Sequence, residues 1–134
     1  MDRFKFRAWN KKDKTLHYGA ENTYDYLGGR PKIFEETFGS LLSKTDEWEV
    51  EQCTGLKDKN GNLIYEGDII RFCVNWRAYV LTYERIVVWD KDKCGFVVRN
   101  AKDQAAPLVK WKMPHPDTHI IEIVGNIHEQ KDNK

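Results

Sequence analysis

The order of apolar and polar residues along the chain changes period several times, and these changes predict its elements. Residues 3–9, RFKFRAW, alternate strictly, with Phe4, Phe6 and Ala8 on one side and Lys5, Arg7 and Trp9 on the other. A period of two marks a half-buried strand. The polar run from Asn10 to Lys14 leads into Thr15-Leu16-His17-Tyr18, which reads as a hairpin turned by Asn10, Lys11, Lys12 and Asp13. Residues 19–30 hold Gly19, Gly28 and Gly29 and read as an irregular connection. From Pro31 the spacing changes. Ile33, Phe34, Thr37, Phe38, Leu41 and Leu42 fall on one face of a helix over 31–42, with Pro31 suited to its first position and Gly39 weakening it.

Alternation returns at 47–54, EWEVEQCT, where Trp48 and Val50 share one side. Asn60-Gly61 follows as a two-residue hairpin turn of the type that needs positive φ at both positions, joining 50–57 to 63–65. Glu66-Gly67-Asp68 is a second turn. Strands are predicted over 68–76, 79–89, 96–98 and 119–124, with a shorter one around Leu108 to Lys112. Pro107, Pro114 and Pro116 make the rest of 100–118 a loop. The predicted core is Phe4, Phe6, Trp48, Val50, Ile64, Ile69, Phe72, Val87, Phe96, Ile121 and Val124. The fold class is therefore mainly β: antiparallel strands in a small SH3-like or pseudo-barrel sheet, with one short helix. One domain is expected over 1–134, divided into a hairpin, helix and strand (1–54), a barrel-like part (55–128) and a polar tail (129–134).

Composition narrows the function. At 134 residues the chain is long enough for a core without metal or disulfide staples. With 22 Lys and Arg against 21 Asp and Glu, the net charge of +1 excludes a global electrostatic pull on nucleic acid or membrane. The charges are unevenly spread: residues 1–14 are basic and 35–51 are acidic. If the strands in these segments are neighbours, Lys5 and Arg7 face Glu49 and Glu51 as exposed cross-strand pairs. No apolar stretch approaches a membrane span, and the opening residues lack the apolar run of a secretion signal. A cytoplasmic setting is expected, with Cys53, Cys73 and Cys94 as thiols and the first two as small core residues.

Candidate chemistry is sparse. His115 and His119 have zinc-like spacing, but Pro114 and Pro116 disfavour the helix that would align them. Asp90 and Asp92 lie in a hairpin turn, where aspartate is common, and Asp68 follows a glycine turn whose backbone it is placed to bind. No phosphate loop, nucleophile elbow or dinucleotide fingerprint is present. No catalytic residue, metal ligand or cofactor is assigned. The aromatic content is high, with five Trp and six Tyr. Trp9, Tyr65, Trp76 and Trp89 are the candidate partner-binding residues, since such rings dominate interface hot spots. The competing expectation is that these rings simply pack in the core or on a barrel rim.

Four segments in order, FKFRAWNKKDKTLHY, CTGLKDKNGNLIYEGDIIRF, VVWDKDKCGFVV and IEIVGNIHE, resemble the YopX family of bacteriophage and prophage proteins. The middle segment is the most specific. Residues 19–46 and 100–118 match less. The resemblance implies a small, mostly β, cytoplasmic phage protein, and it supplies no catalytic residue to carry over. The expected function is a non-enzymatic phage accessory protein that binds a host or phage protein or a second copy of itself. A nucleic-acid-binding small barrel is the alternative. A metal-dependent hydrolase using Asp68, Asp90, Asp92 or His119 ranks third.

Overall fold

The computed structural model describes residues 4–22, 38–100 and 109–129. The connection predicted over 23–30, the helix part 31–37, the loop part 101–108 and the tail from 130 lie outside them. The described strands are β1 (Phe6–Asn10), β2 (Thr15–Tyr18), β3 (Trp48–Lys57), β4 (Leu63–Tyr65), β5 (Asp68–Trp76), β6 (Tyr79–Asp90), β7 (Gly95–Arg99), β8 (Lys110–Lys112) and β9 (Ile121–Asn126). One helix, α1, runs over Phe38–Ser43, and Ala20–Asn22 form a single 3-10 turn. The fold is mainly β, with two antiparallel sheets ordered β2-β1-β3-β4 and β8-β7-β6-β5-β9. One of the two is a half-barrel. The chain divides into two compact units, Met1–Cys53 and Thr54–Lys134.

In the first unit, β1 is central. It pairs β2 through Ala8↔His17 and β3 through Ala8↔Val50. Partners directly opposite in such a ladder share a face. Ala8, Ala20, Leu41 and Trp48 form the core, with Phe6 and Val50 packed against it. Phe4 lies before β1 begins and is exposed, which corrects its predicted burial. The charge pairing also differs from expectation. Arg7 does oppose Glu51, but Trp9 opposes Glu49, and Lys5 accepts the Cys53 amide through its backbone carbonyl. The Arg7–Glu51 pair is buried rather than exposed.

In the second unit, Ile64, Ile70, Phe72, Val87, Val98 and Ile121 form the core. Ile69 was predicted together with Phe72, but the two lie on opposite sides of β5. Ile70 takes the core position and Ile69 is only half-buried. Val124 is exposed because the β5–β9 register shifts there: Ile69 opposes Gly125 and Ile70 opposes Ile123. Val124 is the extra residue of that β-bulge, left outside the pairing. Cys53 is buried as expected, whereas Cys73 is exposed, with its Sγ 3.5 Å from Thr82 Oγ1.

Two of the turns share a design. Asn10↔Thr15 and Asp90↔Gly95 each flank a four-residue loop. Asn10 Oδ1 accepts the amides of Lys12 and Asp13, and Asp90 Oδ1 accepts that of Asp92. The last loop residue, Lys14 or Cys94, has positive φ in both. The loop before β4 is not the predicted two-residue turn. Gly61 has φ 83°, but Asn60 does not have positive φ. The Gly61 amide instead donates to Asp58 O at 3.0 Å, and the Asp58 amide donates to Asn62 O at 2.8 Å. This is a three-residue loop ending in a left-handed glycine. A Cβ at Gly61 meets open space, so the cost of substitution is conformational. Gly61→Val should lower stability by about 1–2 kcal/mol, and Gly61→Asn by less, because asparagine tolerates the left-handed region. Urea midpoints of the two variants check that order.

Candidate functional site

The strands of the five-stranded sheet differ in length, and the difference creates its main surface feature. β5 has 9 residues and β6 has 12, while β7 has 5 and β9 has 6. β9 pairs β5 only from Asp68 to Phe72, and β7 pairs β6 only from Ile86 to Asp90. The distal part of the β5–β6 hairpin therefore projects as a two-stranded arm, with Arg77 and Ala78 as its turn.

The arm keeps the alternation of the core strands. Ile70↔Arg85, Phe72↔Tyr83, Val74↔Leu81 and Trp76↔Tyr79 are successive pairs on one face. Ile70 and Phe72 are buried in the core, yet Leu81, Trp76 and Tyr79 are 39%, 57% and 67% exposed. An apolar face thus runs out of the core into solvent. Its buried end is aromatic: the Tyr83 ring lies edge-on to Trp111 at 4.8 Å and 6.1 Å from Phe72. The Arg85 guanidinium lies 4.4 Å from the Trp111 ring and 4.9 Å from Tyr83. At the exposed end, Arg77 lies 5.4 Å from the Trp76 ring. Arg77 holds φ 57°, a left-handed conformation that costs a non-glycine residue about 1–2 kcal/mol.

The opposite face carries an ion-paired cluster at its middle and an exposed Val80 near the tip. Glu84 and Glu122 flank Arg71 on the two neighbouring strands. Glu84 Oε2 accepts from Arg71 Nη2 at 2.7 Å, and Glu122 lies 3.6 Å from Arg71 Nη1. The hydrogen bond to Glu84 pushes the pKa of Arg71 up; desolvation opposes it, and the charges of Glu84 and Glu122 add to the rise.

The four rings proposed from sequence fall in both units and differ in exposure. Trp9 is half-buried in the first unit. Tyr65 is only 5% exposed, so its ring is not a surface anchor; its amide donates to Asp68 Oδ2 at 2.8 Å. Trp76 and Trp89 share the β5–β6 face but lie at its two ends. Tyr79, opposite Trp76, and Trp89 lie ten positions apart on β6, a contour of about 33 Å. Trp89 is 46% exposed and packs edge-on against Phe96 at 5.2 Å. Sequence reasoning missed Tyr79, Leu81, Arg77 and Arg85. The available signal was two adjacent predicted strands, 68–76 and 79–89, longer than the strands predicted at 96–98 and 119–124.

The carboxylates weighed as catalytic are engaged by nearby backbone or lie in turns. Asp68 and Asp90 are buried, and each accepts a local amide, from Tyr65 and Asp92 respectively. His115 Nδ1 accepts the Asp117 amide at 3.1 Å, and His119 Nδ1 lies 2.9 Å from Thr118 Oγ1. Among the described residues, none of these side chains belongs to a group of three able to share a metal ion.

The chain matches no curated protein. Among solved structures it resembles protein EF1440 from Enterococcus faecalis, with 23% identity, a TM-score of 0.56 and 92% of each chain covered. At that identity the likeness shows the fold alone. The family model described as YopX protein matches residues 5–132, almost the whole chain, so the protein belongs to the YopX family.

Proposed function

We propose that this YopX-family protein is a non-enzymatic interaction module, working in the cytoplasm of a phage-bearing bacterium through the β5–β6 arm. One observation carries the reading. The core-facing side of the sheet continues past the core as Trp76, Tyr79 and Leu81, exposed on an arm that no described strand flanks. Large rings left in solvent on a rigid ribbon are the usual anchors of a contact surface. The strained turn at Arg77 fits the same reading, because a sequence that breaks a local rule at one point tends to do so at a functional site. The non-catalytic part rests on Asp68 and Asp90, whose carboxylates are committed to turn amides.

A photocrosslinking residue placed singly at Tyr79 and at Glu84 tests the reading, since the two lie on opposite faces of the same strand. A defined adduct formed in the host cell at Tyr79 and absent at Glu84 is the expected result. Equal labelling at both positions, or turnover of any nucleotide or peptide by the purified protein, overturns it.

A further inference from the structure

We infer that the ligand of the β5–β6 arm is single-stranded nucleic acid, held by base stacking on Trp76 and Tyr79 and by phosphate contacts to Arg77. This rests on the reading of the arm as the contact surface. Near-neutral net charge argued against such a ligand at the level of the whole chain. The structure shows that the charges near the arm are not a sample of that average. From Ile69 to Tyr83 the chain carries Arg71 and Arg77 and no carboxylate. The next carboxylate, Glu84, is on the opposite face and bonded to Arg71 at 2.7 Å. Asp58, Asp68 and Asp90 are buried and accept backbone amides. The aromatic face therefore presents Arg77 and Arg85 with no acidic group along its four pairs.

A row of rings interleaved with arginines is what binds single strands without sequence preference: every base has a face to stack, and the cations meet the backbone. Trp76 and Tyr79 sit directly across from each other at the open end, and Tyr83 with Arg85 and Trp111 continues the row toward the core. A second copy of the chain fits less well. The exposed part of Trp76, Tyr79 and Leu81 amounts to about 300 Å² by the areas usual for such side chains, against about 800 Å² per partner in a stable interface. Stacking needs no such area, because each ring acts on its own base.

The test is fluorescence anisotropy of labelled oligothymidylate, and of the same length of duplex, with the full chain at low and at physiological salt. The parent should bind the single strand in preference to the duplex, with affinity falling as roughly the first to second power of salt for about two phosphate contacts. Trp76→Ala and Tyr79→Ala should each weaken binding about tenfold, and Arg77→Glu should flatten the salt dependence. Lys93→Glu, in the exposed turn before β7, should change nothing. Circular dichroism confirms that each variant folds. Absence of binding by the parent at low salt, preference for duplex, or equal loss with Lys93→Glu overturns the inference. If the parent fails to bind but sediments as a dimer that Trp76→Ala dissolves, the nucleic-acid ligand is wrong and the arm stands as the contact surface. If binding is absent and Tyr79 also gives no specific crosslink, both readings fall.

Discussion

Replacing Arg7 by methionine should destabilise the first unit by about 3–5 kcal/mol, the loss expected when one partner of a buried ion pair is removed. Arg7 lies in the central strand, opposite Tyr18 on β2 and Glu51 on β3. Its Nε donates to Glu51 Oε1 at 2.7 Å, with the two side chains 1% and 3% exposed. Arg7 Nη1 also donates to the Tyr18 hydroxyl at 3.3 Å, and the guanidinium lies 5.8 Å from the Tyr18 ring. Without the guanidinium, the buried Glu51 carboxylate loses the cationic donor 2.7 Å from its Oε1. Lysine is no substitute, because its point charge does not reproduce the planar donor set. The pair itself need not be stabilising relative to apolar residues, so the double variant Arg7→Met/Glu51→Leu should recover more than half of the loss. Urea unfolding of the two single variants and the double one gives the coupling. A loss below about 1 kcal/mol for Arg7→Met would show that the pair is solvated in solution.

This pair also marks where the sequence stops being legible. The register could be reasoned from alternation and opposite charge, and Arg7 does meet Glu51. Burial could not. Period-two patterning assigns one side of a strand to the core and the other to water, whereas Arg7 and Ala8 are adjacent and both buried. A strand covered on both faces breaks the assumption behind the pattern, and Lys5 and Trp9 gave no sign of it. A different limit governs Val124, which sits in an apolar run and falls outside the pairing through one extra residue in β9. Gly125 was the available sign of that bulge. Ile69 needed no bulge, since period two counted from Phe72 already turns Ile70 inward.

The elements themselves were legible because turn chemistry is local. Asn10 and Asp90 announce their turns by residue type, and in the structure each accepts amides of its own loop. The surface was less legible, because exposure depends on what lies alongside a strand. Trp76 was a candidate on ring type alone. Tyr79, Leu81 and Arg77 became visible only when β7 and β9 proved too short to flank them. Tyr65 shows the converse: a ring of the same type, beside a glycine turn, that packs inside.

Substituting Asp58 by alanine should cost the second unit about 3–4 kcal/mol, through loss of charge-assisted hydrogen bonds worth about 1.5–3 kcal/mol each that are not fully additive. Asp58 is the hub of the loop before β4. Its Oδ1 accepts the amides of Asn60 and Asn62, both at 2.9 Å. Its Oδ2 accepts the Ile123 amide at 3.1 Å, and the neighbouring Lys59 amide donates to Ile121 O at 2.8 Å. The loop therefore does two things. It closes the β3–β4 hairpin, and it caps the edge of β9 that β5 does not use, removing a row of open donors and acceptors. Alanine leaves three amides without their acceptor in a site that is 7% exposed. Asparagine keeps an oxygen for Asn60 and Asn62 but turns an amide nitrogen toward the Ile123 N–H, so Asp58→Asn should fall between the parent and Asp58→Ala. Hydrogen exchange locates the loss: the Ile123 amide should lose protection in both variants, and the Asn62 amide chiefly in the alanine variant. If Asp58→Ala costs less than about 1 kcal/mol and Ile123 stays protected, the carboxylate is not what holds the loop to β9.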